Sequence, residues 1–123
     1  MNISDFFEIV GDHAVFHPVG NVSLDQMVEI VTAGITLAQE KKIFKLLVDT
    51  TDLTGFESPT LASRYFFIKK WARAARGVRI CVVAKPEMID PQKFGVTVAY
   101  NHGLISEVFP TKEESLAWLE NIK

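Results

Sequence analysis

Two nearly unbroken apolar runs, FKLLV at 44–48 and VRICVVA at 78–84, constrain the fold of this chain more than any other feature. Runs of this length without period-two alternation are expected of strands covered on both faces. The first is followed by a long helical pattern at about 59–75, the second by a shorter one ending near His102. Strands that alternate with helices imply right-handed crossovers and a mostly parallel sheet with helices packed on it. The expected class is therefore α/β.

The flanking sequence extends this pattern at both ends. FFEIVGDHAVFHPVG reads as two strands joined by the turn residues Gly11 and Asp12, an N-terminal β-hairpin. Ser23 with Gln26 three residues on is a capping box, and Leu24, Met27 or Val28, Val31, Ile35 and Ala38 then recur at helical spacing. The second helix is expected from Pro59, with Ser58 as its cap, and Gly77 follows its end. Lys85-Pro86-Glu87 breaks the second buried strand, Asp90-Pro91 opens a third helix and Gly103 closes it. A last strand at 104–109 leads into TKEESLAWLENIK, where Thr111 and Glu114 form a second capping-box pattern. The order is ββαβαβαβα across one domain, 1–123, with no linker, low-complexity segment or internal repeat. A chain of 123 residues buries roughly two-thirds of its unfolded surface, enough for one core.

Composition narrows the function classes. The chain is 48% hydrophobic and 23% charged, and no apolar run approaches the ~20 residues that span a bilayer. The start carries Asp5 where a signal peptide would be basic, so a cytoplasmic protein is expected. A formal charge of −2 gives no general attraction to nucleic acid. Cys81, the single cysteine, excludes an internal disulfide, and inside RICVVA it reads as a small buried hydrophobe. His13 and His17 are four apart in a predicted strand, about 13 Å along the chain, too far to share a metal ion. His102 beside Gly103 suits the negative end of a helix dipole. No local Ser-His-Asp or Cys-His arrangement pairs a nucleophile with a base. With neither a P-loop nor a G-x-G-x-x-G, no cofactor is indicated.

The hairpin start, the LLVD strand, the loop TDLTGFESPTL, the strand RICVVAKPEMIDP and the closing EESLAWL together resemble the SpoIIAA-like family. That family is related to the STAS domains of anti-sigma-factor antagonists and is grouped with the Sec14-like lipid-binding fold. The resemblance implies a SpoIIAA-like (STAS-like) sheet over nearly the whole chain and a non-enzymatic regulatory module with a protein partner. Through the Sec14 relationship it also implies, as the alternative, a small apolar or lipid ligand. In antagonists of this type a loop of the form D-S-S-G-L carries a serine phosphorylated by a partner kinase. Laid on this chain, that motif falls on Glu57-Ser58-Pro59-Thr60-Leu61, so Pro59 and Thr60 replace its Ser-Gly pair.

Ser58 thus has two readings. As a cap before Pro59 its oxygen would accept an orphan amide of the first turn; as a phosphosite the same free amides would stabilise the added charge. Asp49, Asp52 and Glu57 gather three carboxylates at the C-terminal end of a central strand, where open α/β sheets bind ligands. They could hold a divalent cation and would be the sole support for an enzyme, but short Asp and Thr side chains also build turns unaided. Turn chemistry is the expectation, with no metal site.

On the second helix, Leu61, Tyr65, Ile68, Ala72 and Ala75 are expected to face the core. Phe66 then falls about 140° and Phe67 about 240° round the wheel, with Trp71 at the edge of the stripe. Lys69, Lys70, Arg73 and Arg76 fringe this second aromatic surface. A homodimer interface suits such a composition, an aromatic-lined apolar ligand site is the alternative, and burial under the third helix through Phe94, Val98 and Tyr100 is the third.

Overall fold

The computed structural model describes residues 2–122. A 3-10 turn at Ile3–Phe6 leads into β1 (Phe7–Val10), which turns back at Gly11 into β2 (His13–Phe16). Then follow β3 (Gly20–Asn21), α1 (Leu24–Glu40), β4 (Lys45–Asp49), β5 (Leu53–Thr54) and α2 (Leu61–Ala75). The chain closes with β6 (Arg79–Val83), a 3-10 turn (Pro86–Met88), α3 (Phe94–Asn101), β7 (Ser106–Phe109) and α4 (Lys112–Asn121). The main sheet runs β1-β2-β4-β6-β7, antiparallel at the hairpin and parallel thereafter. The predicted mixed α/β sheet with its N-terminal hairpin is the one observed.

Strand side chains alternate between two apolar layers, as a sheet covered on both faces requires. Ala14, Phe16, Leu46, Val48 and Ile80 share a core with residues of α1 and α2 and with Ala99 and Leu104. Val15, Leu47, Cys81 and Val83 face α4 through Leu119. Cys81 lies fully buried in this second layer, and burial pushes its thiol up to about 11. Helix α1 follows its predicted face, with Met27, Val31, Ile35 and Ala38 all buried and the Ser23–Gln26 capping box complete.

Three features depart from the sequence reading. The β3–β5 pair was not predicted: Gly20–Asn21 lies parallel to Leu53–Thr54, too short a match to show as periodicity. Asp90 does not cap α3 with Pro91 in its first turn. Instead, residues 90–93 form a turn closed by the Lys93 amide on the Asp90 carbonyl (2.9 Å), and the Asp90 carboxylate accepts from the Phe94 amide at 2.8 Å. At α4 the Thr111 hydroxyl accepts from the Glu114 amide but donates to the Glu114 carboxylate, so the reciprocal bond of a capping box is made between side chains.

Candidate functional site

The loop from Asp49 to Thr60 leaves the C-terminal end of β4, the middle strand of the sheet. Asp49 is only 8% exposed and accepts from the amide (3.0 Å) and hydroxyl (2.6 Å) of Thr51. This is an Asx-type turn, in which a short carboxylate satisfies the backbone two residues ahead. Thr50 donates to the Val83 carbonyl at 3.0 Å and ties the loop to β6. Asp52 is paired with His17, Nε2 to Oδ2 2.7 Å, and Asp49 lies 3.8 Å from the same nitrogen. His17 stands beyond the end of β2, not within a strand, which is why its partner lies across the loop and not along the chain. Among the described residues no group of three His, Cys, Asp or Glu side chains is arranged to hold a metal ion. Glu57 is exposed and does not join the Asp49–Asp52 pair through any hydrogen bond or ion pair among the described residues.

Gly55 fixes the path of this loop. Its φ is +101°, and a Cβ there would come within 2.5 Å of the Val22 carbonyl oxygen, so only glycine lets the loop pass this close to the β3 backbone.

Ser58 does not cap α2. The cap is Thr60, whose hydroxyl accepts from the Ser63 amide at 3.1 Å, and the first helical bond runs from the Arg64 amide to the Thr60 carbonyl. Arg64 accounts for the later start. Its Nε donates to the Pro59 carbonyl (3.2 Å) and its Nη2 to the Ser58 hydroxyl (2.9 Å) and the Met88 carbonyl (3.1 Å), holding residues 58 and 59 across the first turn instead of within it. Thr60→Ala is expected to lower stability by about 1 kcal/mol and Ser58→Ala by a few tenths. Urea titration of the two variants checks the order, which reverses if Ser58 is the cap.

The core face of α2 is also rotated from the predicted stripe. Phe67, Trp71 and Ala75 are buried, whereas Leu61 is 54% and Tyr65 38% exposed. Phe67 and Trp71 therefore cannot form an external interface; they pack against each other at 4.7 Å inside the chain. Leu61 stands at the first turn of α2 and is left uncovered, whereas Ile68 and Ala72 of the expected stripe still pack against the core. Phe66 remains 70% exposed, beside Tyr65 at 5.8 Å, and Tyr65 stacks edge-on to His102 at 6.0 Å. Lys70 pairs with Glu29 of α1, and Arg73 is exposed. Of the third helix's residues, Val98 is buried but Tyr100 is exposed, so Tyr100 does not cover α2.

Between α2, α3 and the β6–β7 end of the sheet lies a cavity of about 130 Å³. Phe67, Ile68 and Trp71 form one wall, Gly95 and Val96 another, and Ile80, Val82 and Val108 the floor. Phe56 and Pro59 of the loop and Met88 close the end nearest Arg64. A Cβ at Gly95 would lie 3.5 Å from Ile68, an ordinary van der Waals contact, so α3 and α2 meet here at normal packing distance. Burial lowers the pKa of Arg64, an effect that Asp90 partly opposes.

No family model matches the chain and no curated protein matches it. Solved structures do. The anti-sigma factor antagonist SpoIIAA in its unphosphorylated form superposes with a TM-score of 0.51 at 17% identity, over 94% of this chain and 97% of that one. This chain has the SpoIIAA-like fold. A DUF3478 protein with a SpoIIAA-like fold from Shewanella loihica PV-4 matches at TM-score 0.50 and 19% identity, over 92% of this chain and 90% of that one. The protein TM1081, solved by NMR, matches at 0.50 and 14%, over 94% and 88%. At these identities the likeness establishes the SpoIIAA-like architecture and not a shared activity. No helix among the described residues is long and apolar enough to cross a membrane.

Proposed function

We propose that this chain is a non-enzymatic regulatory module that acts by protein contact, with the outer face of α2 as its interface and the adjoining Ser58 loop as its control point. The observation that carries this reading is the exposed Leu61–Tyr65–Phe66 surface, which begins three residues after Ser58. Exposed aromatics fringed by cations match the composition of protein interface cores. A homodimer through this face is the expected assembly in the cytoplasm, with a heterologous protein as the competing occupant. A phosphate on Ser58 would meet a guanidinium already 2.9 Å from its hydroxyl, giving a charge-assisted contact that rearranges the loop beside the interface. Glu57 and Asp52, both exposed on the same loop, would add like charge to that phosphate and oppose it.

Light scattering coupled to size exclusion tests the assembly. The wild type is expected at the mass of a dimer and Phe66→Glu at that of a monomer, with melting temperatures within a degree or two because Phe66 supports no core contact. A monomeric wild type sinks the homodimer. Intact-mass measurement of protein from its own cells tests the switch, and absence of a phosphate increment in every growth state removes Ser58 from the proposal.

The cavity favours a second reading, a small apolar ligand. It is lined mainly by aliphatic and aromatic side chains with a few polar groups at one end, the usual make-up of a ligand pocket. In that reading Phe67 and Trp71 contribute as pocket walls.

A further inference from the structure

The polar end of the cavity is not neutral. Arg64, Lys85, Lys93, Asp90 and Glu107 all line it. Lys93 is taken up by Glu107, Nζ to Oε1 2.7 Å, and lies over the Phe109 ring. Glu107 further accepts from its neighbour's amide, Val108, at 3.0 Å. Asp90 is engaged by the Phe94 amide. Of the half-buried cations at this end, Arg64 and Lys85 have, among the described residues, no carboxylate within ion-pair distance, and Arg64 is the one of the two held by side-chain hydrogen bonds. Its three hydrogen bonds go to uncharged oxygens and use Nε and Nη2, with no partner at Nη1 among the described residues. A partly desolvated guanidinium held in one orientation, with donors to spare, is suited to a planar carboxylate.

We propose that the cavity binds a small amphipathic carboxylate, its apolar body against Ile68, Trp71, Val82 and Val96 and its carboxylate on Arg64. This inference rests on the ligand reading above and adds to it the charge and size of the ligand. The size follows from the volume: a cavity of about 150 Å³ accommodates benzene, so about 130 Å³ holds an apolar body of about six carbons. The charge follows from the arithmetic at the polar end. Arg64, Lys85 and Lys93 carry three positive charges against two negative ones on Asp90 and Glu107, leaving one positive charge for an anion to neutralise. A bound carboxylate also offsets the cost of keeping Arg64 charged in a half-buried position.

The test uses hexanoate, 1-hexanol and dodecanoate as probes, titrated into the full-length 15N-labelled protein at pH 7. Hexanoate is expected to shift the amides of Ile68, Val96 and Val108 and to bind at least tenfold more tightly than 1-hexanol. Arg64→Gln is expected to erase that preference while 1-hexanol still binds, and Val82→Phe, which places a ring in the cavity, to abolish both. Equal or tighter binding of 1-hexanol to the wild type overturns the carboxylate and leaves the ligand reading standing. Tighter binding of dodecanoate assigns a lipid chain and overturns the size. No shift with any probe at millimolar concentration overturns the ligand reading together with this inference. The wild-type comparison decides between these outcomes even if a variant fails to fold.

Discussion

Gly34→Ala is expected to destabilise the protein by about 2 kcal/mol, although alanine is the better helix former by about 1 kcal/mol. Gly34 lies buried in the middle of α1, facing Phe16 of β2. A Cβ at position 34 would sit 2.4 Å from Phe16 Cδ2, 2.6 Å from Cε2 and 3.0 Å from Cγ. The last of these atoms is the root of the ring, so rotation about χ2 cannot clear it. Phe16 is itself fully buried and held by the parallel register of Phe16 with Val48. Helix and strand must therefore separate, and the loss of close packing outweighs the gain in helix propensity. Phe16→Leu in the Gly34→Ala background is expected to recover at least half of the loss, since the smaller side chain relieves the overlap. The double-mutant cycle, read by urea denaturation, should show a coupling of about 1 kcal/mol or more between the two positions. A Gly34→Ala protein as stable as wild type would mean that α1 does not approach β2 as closely as the contact requires.

Gly34 also shows what a sequence can and cannot reveal. The helix face was legible because Met27, Val31, Ile35 and Ala38 repeat at helical spacing, and all four are buried. The mostly parallel sheet was legible in outline because FKLLV and VRICVVA are nearly unbroken apolar runs, as strands covered on both faces require. What made Gly34 necessary was not legible, since the opposing Phe16 belongs to a different element 18 positions earlier. The same limit explains α2. Its aromatic surplus is visible in the sequence, and of the stripe expected to face the core Ile68, Ala72 and Ala75 do so while Leu61 and Tyr65 stay exposed. Burial of Phe67 and Trp71 depends on the positions of α1 and α3, which spacing within one helix does not specify. At the loop, Ser-Pro satisfied every local rule for a helix start. The side chain that overrode them, Arg64, reaches back from the second turn and also grips the Met88 carbonyl across the cavity mouth. His17, read with His13 as strand histidines too far apart to share a metal ion, pairs with Asp52, a contact 35 positions away that exists because β2 and β4 lie side by side. The cavity left no sequence signal, because Ile68, Gly95 and Val108 line it from three separate elements.

Trp71→Ala is expected to cost about 3–5 kcal/mol, the largest loss of any single substitution considered. The indole is 7% exposed, packs on Phe67 at 4.7 Å and donates from Nε1 to the Val28 carbonyl of α1 at 3.3 Å. The hydrogen bond contributes little of this, because the Val28 carbonyl also accepts from the Thr32 hydroxyl at 2.6 Å and keeps a partner when the indole is removed. Trp71→Phe should consequently be much milder, about 1 kcal/mol, since it keeps an aromatic ring in the wall. The remaining cost is space. Trp71 lines the cavity, so truncation joins the volume of an indole to the existing 130 Å³, and the enlarged void has few polar groups with which to hold water. A protein weakened in this way is stabilised by whatever fills the gap, in proportion to the logarithm of ligand concentration over its dissociation constant. Millimolar indole is therefore expected to raise the melting temperature of Trp71→Ala by several degrees and to leave wild type unchanged, as differential scanning fluorimetry would show. Equal response of the two proteins would place the indole at the surface. A stable Trp71→Ala with no response would mean that α2 collapses onto the sheet when the ring is lost, and that this single side chain holds the cavity open.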